Sequence, residues 1–511
     1  RALAGVVTVE TRRGASDLSV ATRAGAWGER DASASVGGSR PSGNTIVVGS
    51  INADYRTVTG DFDYTIPAVR GGGTATRRNA DVTSSDVLAS AGIDGDAGAV
   101  GIRGGWQSVS RGMPGSIVQP SASGHSDDRR ANVAVDGRWN TGRVTWRTTT
   151  DLSRETSRFV DPTPPYGDPY DDSVRATGVT LTADGSFSLG PSAESFGAES
   201  RWLHVTSSML APDAPRTQRQ VGTWMSVRSP SASLGVATIS ANVTARADWD
   251  TFLSGATISP RVGVTIESSR LALETSFGQG YAPPTLSDQF FHEGVLVRPN
   301  PNLRPERVRN DLDARLTVHD MLWGPVQTGA SVNVYRNTVR GMILWTPNFQ
   351  FVWSPDNFDV KRTGWDLSGR VAVPAMGASV DGTVSRTDAT YLGPVLSGQV
   401  TYRPVTTANI TTSIARALGT LDVVTRFVGA RRTVAGSALN TLDPYWLTDL
   451  HVAHPIVQRT WRLDLAGGLD NVFDRPAAML VDYPFPGRTW TLSLRVTRGG
   501  ERHTGALPFT P

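Results

Sequence analysis

Residues Asn300-Pro-Asn-Leu-Arg-Pro-Glu306 run into Arg309-Asn-Asp-Leu-Asp-Ala-Arg-Leu-Thr-Val318. In the second stretch Leu312, Ala314, Leu316 and Val318 fall on one side, and Asp311, Asp313, Arg315 and Thr317 on the other. Strand side chains alternate with period two, so one face is apolar and the other charged. A long strand with a charged face predicts a wall between lipid and a wet interior.

The same alternation recurs along the chain. Ile239, Ala241, Val243, Ala245, Ala247 and Trp249 oppose Ser240, Asn242, Thr244, Arg246, Asp248 and Asp250. Ala131, Val133, Val135 and Trp139 oppose Asn132, Asp136 and Arg138. Trp461, Leu463, Leu465 and Leu469 oppose Arg462, Asp464 and Asp470, and Trp490, Leu492, Leu494 and Val496 oppose Thr491, Ser493, Arg495 and Thr497. About twenty such segments are expected, each of roughly 9–12 residues, the length that crosses a bilayer at a tilt. Tight connections are expected at Ala256 to Arg261 and Glu267 to Arg270. Long polar ones are expected at Gly112 to Asp128, Arg158 to Asp172, Tyr281 to Arg307, Pro347 to Asp359 and Arg431 to Pro444. Short turns on one side and long loops on the other are the outer-membrane arrangement. Trp106, Trp139, Trp146, Trp202, Trp249, Trp446 and Trp490 sit near segment ends, where indoles favour a membrane interface. The competing reading is the core of a soluble β-sandwich or propeller, but blade periodicity is not evident.

At 511 residues the chain exceeds one ordinary soluble core, so it holds either several domains or one large closed sheet. Mean hydropathy is −0.22, and no run approaches the ~18 apolar residues of a membrane helix. That excludes helical spans alone, because an alternating barrel keeps its average hydropathy low. There is no cysteine, which excludes disulfides, thiolate metal sites and cysteine nucleophiles. Net charge is +3, Lys361 is the sole lysine, and no basic block interleaves with aromatics, so nucleic acid is not an expected partner. The chain starts at Arg1 without a signal-like segment; either a leader and more were removed, or this is a fragment.

Four short stretches together resemble the TonB-dependent outer-membrane receptors. Ala4-Gly-Val-Val-Thr-Val-Glu-Thr-Arg-Arg-Gly14 resembles the last strand of that family's plug domain. Gly280-Tyr-Ala-Pro-Pro-Thr-Leu-Ser-Asp288 resembles its aromatic-Arg-Ala-Pro box, with Ala282 in place of Arg. Asn300, Pro301, Asn302, Leu303, Pro305 and Glu306 resemble its Asn-Pro-Asn-Leu box. Leu469-Asp470-Asn471-Val-Phe473-Asp474, then Pro486, Gly487 and Arg488, resemble its closing hairpin. The resemblance implies an all-β, transmembrane antiparallel β-barrel of 22 strands in the bacterial outer membrane. It implies residues 1–14 as the plug's tail, 15–497 as barrel and 498–511 as a C-terminal extension. Most of the plug and the box that engages the TonB energy-transducing complex are not present in this stretch of sequence. The boxes also have a constructional reading. Pro301 and Pro305 force extended geometry on the residues before them. Asp470, Asn471 and Pro486-Gly487 read as turns.

Function follows the same resemblance: import of a scarce nutrient (an iron–siderophore, cobalamin or haem) by loop capture and plug rearrangement. The expected partners are outer-membrane lipid and a small-molecule ligand, with the protein a monomer. A passive porin-like channel and a non-transporting adhesin or assembly barrel are the alternatives. Catalysis finds no motif; His125, His204, His319, His451, His454 and His503 are scattered, and His451 and His454 would face opposite sides of a strand. No resident cofactor is expected. His292, beside Phe290 and Phe291, is either a haem ligand, as in some haem-uptake members of the family, or a solvated loop residue. Asp168, Asp171 and Asp172 either collect Ca²⁺ or are solvated. Tyr166, Tyr170, Tyr281, Phe290 and Phe291 either form a ligand platform or cover the barrel mouth.

Overall fold

The computed structural model describes residues 17–165, 167–253, 255–290, 298–347, 353–393, 396–434, 437, 440–458 and 461–499. They form a closed antiparallel barrel of 22 strands. Each strand pairs with the next along the chain, and Asp17–Gly25 closes the ring against Thr489–Gly499, from Asp17↔Gly499 to Gly25↔Thr491. Two staves are interrupted. Ala232–Leu234 continues Thr217–Arg228 along the strand Ala237–Asp250, and Ser397–Gln399 continues Thr406–Arg416 along Ala378–Leu392.

Alternation decides which face meets lipid. The register sets Val133 beside Leu152 and Leu152 beside Val179, so the apolar residues of three strands share one outer surface. The rows between them carry Asp136, Arg138, Asp151 and Asp184, which face the lumen. Leu312 is 50 % and Val243 57 % exposed in the isolated chain, an exposure that only a lipid solvent makes favourable. Tryptophans mark both edges of this band. Trp461 pairs with Arg498 and Trp490 with Leu469, so the two rings stand eight positions apart along the last strand (490 to 498). At 3.3 Å per residue that is about 26 Å along the strand, or about 20 Å once tilted, close to the ~25 Å apolar band of such barrels. Trp139 and Trp146, cross-strand partners beside the Gly142 turn, lie at the turn-side edge; Trp249 and Trp446 lie at the loop-side edge.

Some strands keep the expected 9–12 residues, such as Asp17–Gly25 with 9 and Gly419–Val428 with 10, but many are longer. Val326–Pro347 has 22 and Trp353–Val373 has 21, so the wall rises well beyond the bilayer on the loop side. Two expected connections are accordingly strand. Pro347 to Asp359 pairs from Trp353 onward, and Ala256 to Arg261 pairs from Thr257 onward. The latter connection belongs to the long-loop rim rather than to the tight turns. Ladder bonds at these positions outweigh the polar, Pro-containing composition that reads as loop. The barrel strands span Asp17 to Gly499, two residues inside and two beyond the expected limits. No helix of the described residues is long and apolar enough to cross a membrane.

Candidate functional site

The loop-side mouth and the lumen below it form the candidate site. The lumen wall is charged and internally paired. Arg261 Nη2 donates to Asp311 Oδ2 at 2.7 Å, Asn337 Nδ2 to Asp311 Oδ1 at 3.1 Å, and Arg362 Nε to Asn337 Oδ1 at 2.9 Å. Further around, Arg246 meets Asp248 at 2.8 Å beneath the Trp224 ring, Arg130 meets Glu155 at 3.1 Å, and Arg462 meets Asp464 at 2.8 Å. Such pairs keep a wide wet lumen lined with fixed charge of both signs.

One half of the rim is held by amides. Asn300 Nδ2 donates to the Pro355 carbonyl at 3.1 Å, and its Oδ1 accepts from Asn302 N at 3.1 Å. Asn357 ties three backbone groups: its Oδ1 accepts from Arg304 N at 2.8 Å, and its Nδ2 donates to the carbonyls of Arg304 at 2.9 Å and Gly341 at 2.6 Å. Glu306 Oε1 accepts from Ile343 N at 2.7 Å. Leu303 is buried under this clamp, as are Pro284 and Pro355. The short helix Leu286–Phe290 begins on Thr285, whose Oγ1 donates to Asp288 Oδ2 at 2.7 Å; Asp288 Oδ1 accepts from Trp345 Nε1 at 2.9 Å. The Asn-Pro-Asn-Leu stretch therefore holds a long loop against two tall strands.

The other half is held by arginines. Arg70 of the 59–81 loop grips Asp482 of the 471–488 loop through Nε at 3.2 Å and Nη2 at 2.8 Å. Arg77, 7 % exposed, donates to the Gly115 carbonyl and lies 5.8 Å from the Tyr483 ring centre. Burial pulls its guanidinium below the usual arginine range, against the opposing pull of Tyr64 and Tyr483. Arg431, 3 % exposed, donates to the carbonyls of Met479 at 3.2 Å and Asp443 at 3.4 Å over the Tyr445 ring. Tyr402 N donates to the Arg432 carbonyl at 2.7 Å; burial first, and Asp482 second, raise the Tyr402 phenol above its usual range. Five loops remote in sequence are thus braced together. Composition flags none of these arginines, since the chain is arginine-rich throughout.

The Asp470-Asn471 stretch makes a tight turn, in which Asp474 N donates to the Asn471 carbonyl at 2.8 Å, and this turn opens an 18-residue outer loop, residues 471–488. Asn471 adopts φ 47° and exchanges bonds of 2.9 Å with the backbone N and O of Arg475, while Asp474 accepts from Arg488 N at 2.7 Å and closes the loop neck. Phe473 is exposed, and a Cβ on Gly487 would stand 2.4 Å from Asp474 Oδ1.

The expected ligand residues that are described each pack against a different neighbour. Tyr281 is 2 % exposed, closed into the wall beside Arg307 and Arg340. Phe290 packs its ring 6.0 Å from Phe252, and Tyr170 lies 6.5 Å from Phe159. Tyr166, Phe291 and His292 lie outside the described residues. Asp171 is held by Arg158 at 2.8 and 2.7 Å, which keeps its carboxyl below the usual range. Asp172 points to the opposite face and accepts from Ser208 Oγ at 3.3 Å, while Asp168 sits in the loop before the strand. The three carboxylates thus do not form one Ca²⁺ cage, and no group of three His, Cys, Asp or Glu side chains among the described residues could hold a metal ion.

A family model described as "TonB dependent receptor-like, beta-barrel" matches residues 22–472. The fold is similar to that of the FrpB iron transporter from Neisseria meningitidis, at 12 % identity and TM-score 0.72, covering 96 % of this chain and 82 % of that one. It is similar to the copper transporter OprC, at 12 % identity and TM-score 0.73, covering 95 % and 80 %. It is also similar to the ferric enterobactin receptor of Pseudomonas aeruginosa, at 13 % identity and TM-score 0.70, covering 95 % and 81 %. No curated protein matches the sequence.

Proposed function

The chain belongs to the TonB-dependent receptor-like β-barrel family, an outer-membrane transporter family, and from that premise we propose that it serves import of a scarce metal-bearing nutrient, an iron–siderophore before cobalamin or haem. The observation that carries this reading is the family match over most of the barrel, joined to a rim whose described loops are braced by amides on one side and arginines on the other. An iron transporter and a ferric enterobactin receptor are among the named neighbours and bear on this chain as analogy.

In this reading residues 1–14 are the tail of a plug that fills the lumen, and the paired inner wall is its seat. Capture falls to the rim. Tyr166, Tyr170, Phe290, Phe291 and His292 are the proposed contacts; Tyr281 is proposed to hold the wall instead. Release inward requires the plug to rearrange under force from the TonB complex. The residues beyond Gly499 are proposed as an extension outside the barrel. The test is accumulation of ⁵⁵Fe–siderophore, labelled cobalamin and haem by cells producing the protein with its upstream region, with and without a functional TonB complex. Energy-dependent uptake of one of the three is expected. Equal accumulation in both backgrounds would replace this reading with a passive channel.

A further inference from the structure

The outer surface of the barrel carries a cleft of about 1040 Å³, immediately beyond the lipid band on the loop side. Its position follows from register. Arg129 pairs with Ser108 on one side and Thr156 on the other; Thr156 pairs with Arg175, and Arg175 with Thr206. One residue pair lower, Ala131 stands between Trp106 and Arg154. No bulge interrupts these ladders, so parity is kept along each strand. Arg129 therefore shares a face with Ala131, Val133 and Val135, Arg154 with Leu152, and Arg175 with Val179 and Leu181. All three arginines project outward, not into the lumen.

Their spacing suits one anionic group. Arg129 and Arg175 lie two strands apart in the same row, about 10 Å, and Arg154 sits between them about 7 Å lower. Arg216 also lines the cleft. None of these four arginines has an ion-pair partner among the described residues. The two carboxylates that line the cleft are already engaged: Asp171 by Arg158, and Asp127 by Ser110 Oγ at 2.6 Å. Trp106, 45 % exposed, forms the floor, and the lipid-facing Val133, Leu152 and Leu181 continue below it. Guanidinium forks above an indole and an aliphatic slope match a phosphate above acyl chains.

We propose that Arg129, Arg154 and Arg175 form a binding site for the phosphorylated headgroup of an outer-leaflet lipid, whose acyl chains lie along Trp106 and Leu152. The occupant is a lipid rather than free phosphate because the site opens sideways onto the apolar band at headgroup height. This site needs only the barrel in its membrane and stands apart from the nutrient reading.

The test uses the protein in lipid nanodiscs and three probes: diphosphorylated lipid A, the same lipid with its phosphates removed, and inorganic phosphate. Diphosphorylated lipid A should bind saturably and more weakly as salt rises. The dephosphorylated lipid should bind poorly, and millimolar inorganic phosphate should not displace the bound lipid. Arg129→Gln/Arg154→Gln/Arg175→Gln should lower affinity about a hundredfold, since a basic side chain at such a surface contributes roughly a factor of five. Arg138→Gln, on the same strand but facing the lumen and outside the cleft lining, should bind as the unmodified protein does. Heat-modifiable gel migration reports that each variant is folded, and Arg175→Lys should keep most of the affinity. Undiminished binding by the folded triple variant, equal loss in Arg138→Gln, equal binding of dephosphorylated lipid, or displacement by inorganic phosphate would each overturn the proposal.

Discussion

The two halves of the rim are fastened by different chemistry. From the 208–216 loop round to Trp353–Asp359, the donors are neutral: the Asn300 and Asn357 amides bond to backbone, the Glu306 and Asp288 carboxylates accept from Ile343 N and Trp345 Nε1, and Leu303 and Pro355 bury apolar surface. From the 393–405 loop round to the 113–124 loop, they are mainly guanidinium groups reaching carbonyls, a carboxylate and tyrosine rings, with one amide, Asn79, reaching the Ser121 and Gly124 carbonyls. The amide half joins a loop to the two tall strands directly beside it. The arginine half joins loops that have no strand in common. An Asn side chain is short and both donates and accepts, so it mimics one more rung of a ladder. An Arg side chain is long and carries five donors, so it can span a gap between loops and satisfy several carbonyls at once. The difference teaches that tall strands let a loop be clamped locally, while short hairpins need long-range braces.

The largest test breaks the amide half. Asn357→Ala removes three bonds and leaves the amide of Arg304 and the carbonyls of Arg304 and Gly341 without that partner. A loss of about 3 kcal/mol is expected, at about 1 kcal/mol per bond. Urea unfolding of the detergent-solubilised barrel would measure it, with faster amide exchange at Arg304. Asn357→Asp keeps only the acceptor and should recover part of the loss. Stability equal to the parent protein would remove Asn357 from its place as the clamp.

Arg431→Ala tests the opposite half. It removes the Arg431 bonds to the Met479 and Asp443 carbonyls and takes a buried side chain from over the Tyr445 ring. About 2 kcal/mol is expected. The readout is protease cutting in the 429–444 and 471–488 loops, which should speed up together. Arg431→Lys should restore little, because a single ammonium cannot reach both carbonyls and the ring. If only one loop loosens, the braces are pairwise and not a connected set.

The contrast also explains what could be read in advance. The barrel was legible because period-two alternation survives in strands such as Ile239 to Trp249, whatever their neighbours. The height of the wall was not. Trp353-Ser-Pro-Asp-Asn-Phe-Asp359 has the composition of a loop, yet Pro355 pairs with Trp345 and is fully buried. The Asn-Pro-Asn-Leu stretch was read as construction, and its bonds to Pro355 and Asn357 give that reading its atoms. The arginine braces were illegible because Arg70 and Asp482 lie 412 residues apart and both types are common in the chain. Tyr281 shows a related limit: an aromatic beside a loop gives no sign of which way it turns, and this one is shut into the wall.

Gly487→Ala acts at the neck of one braced loop. The new Cβ would press on Asp474 Oδ1 and displace the bond to Arg488 N. A cost of about 1–2 kcal/mol is expected, in the range for an added methyl group that forces its surroundings to shift. Thermal unfolding would show it, and Asp474→Ala/Gly487→Ala should cost less than the two changes summed, since the first removes the clash. Strict additivity would place the strain elsewhere.

The smallest effect sharpens the comparison most. Arg70 and Asp482 form a bidentate pair, but Arg70 is 44 % exposed, so screening reduces its worth to about 0.5 kcal/mol. Asp482→Asn should therefore barely move global unfolding. It should instead loosen the 471–488 loop against the 59–81 loop, read as proteolysis that quickens in low salt and converges with the parent protein in high salt. Asn357→Ala, which breaks neutral bonds, should show no such convergence. If both variants respond to salt alike, the division of the rim into an amide half and a charged half fails.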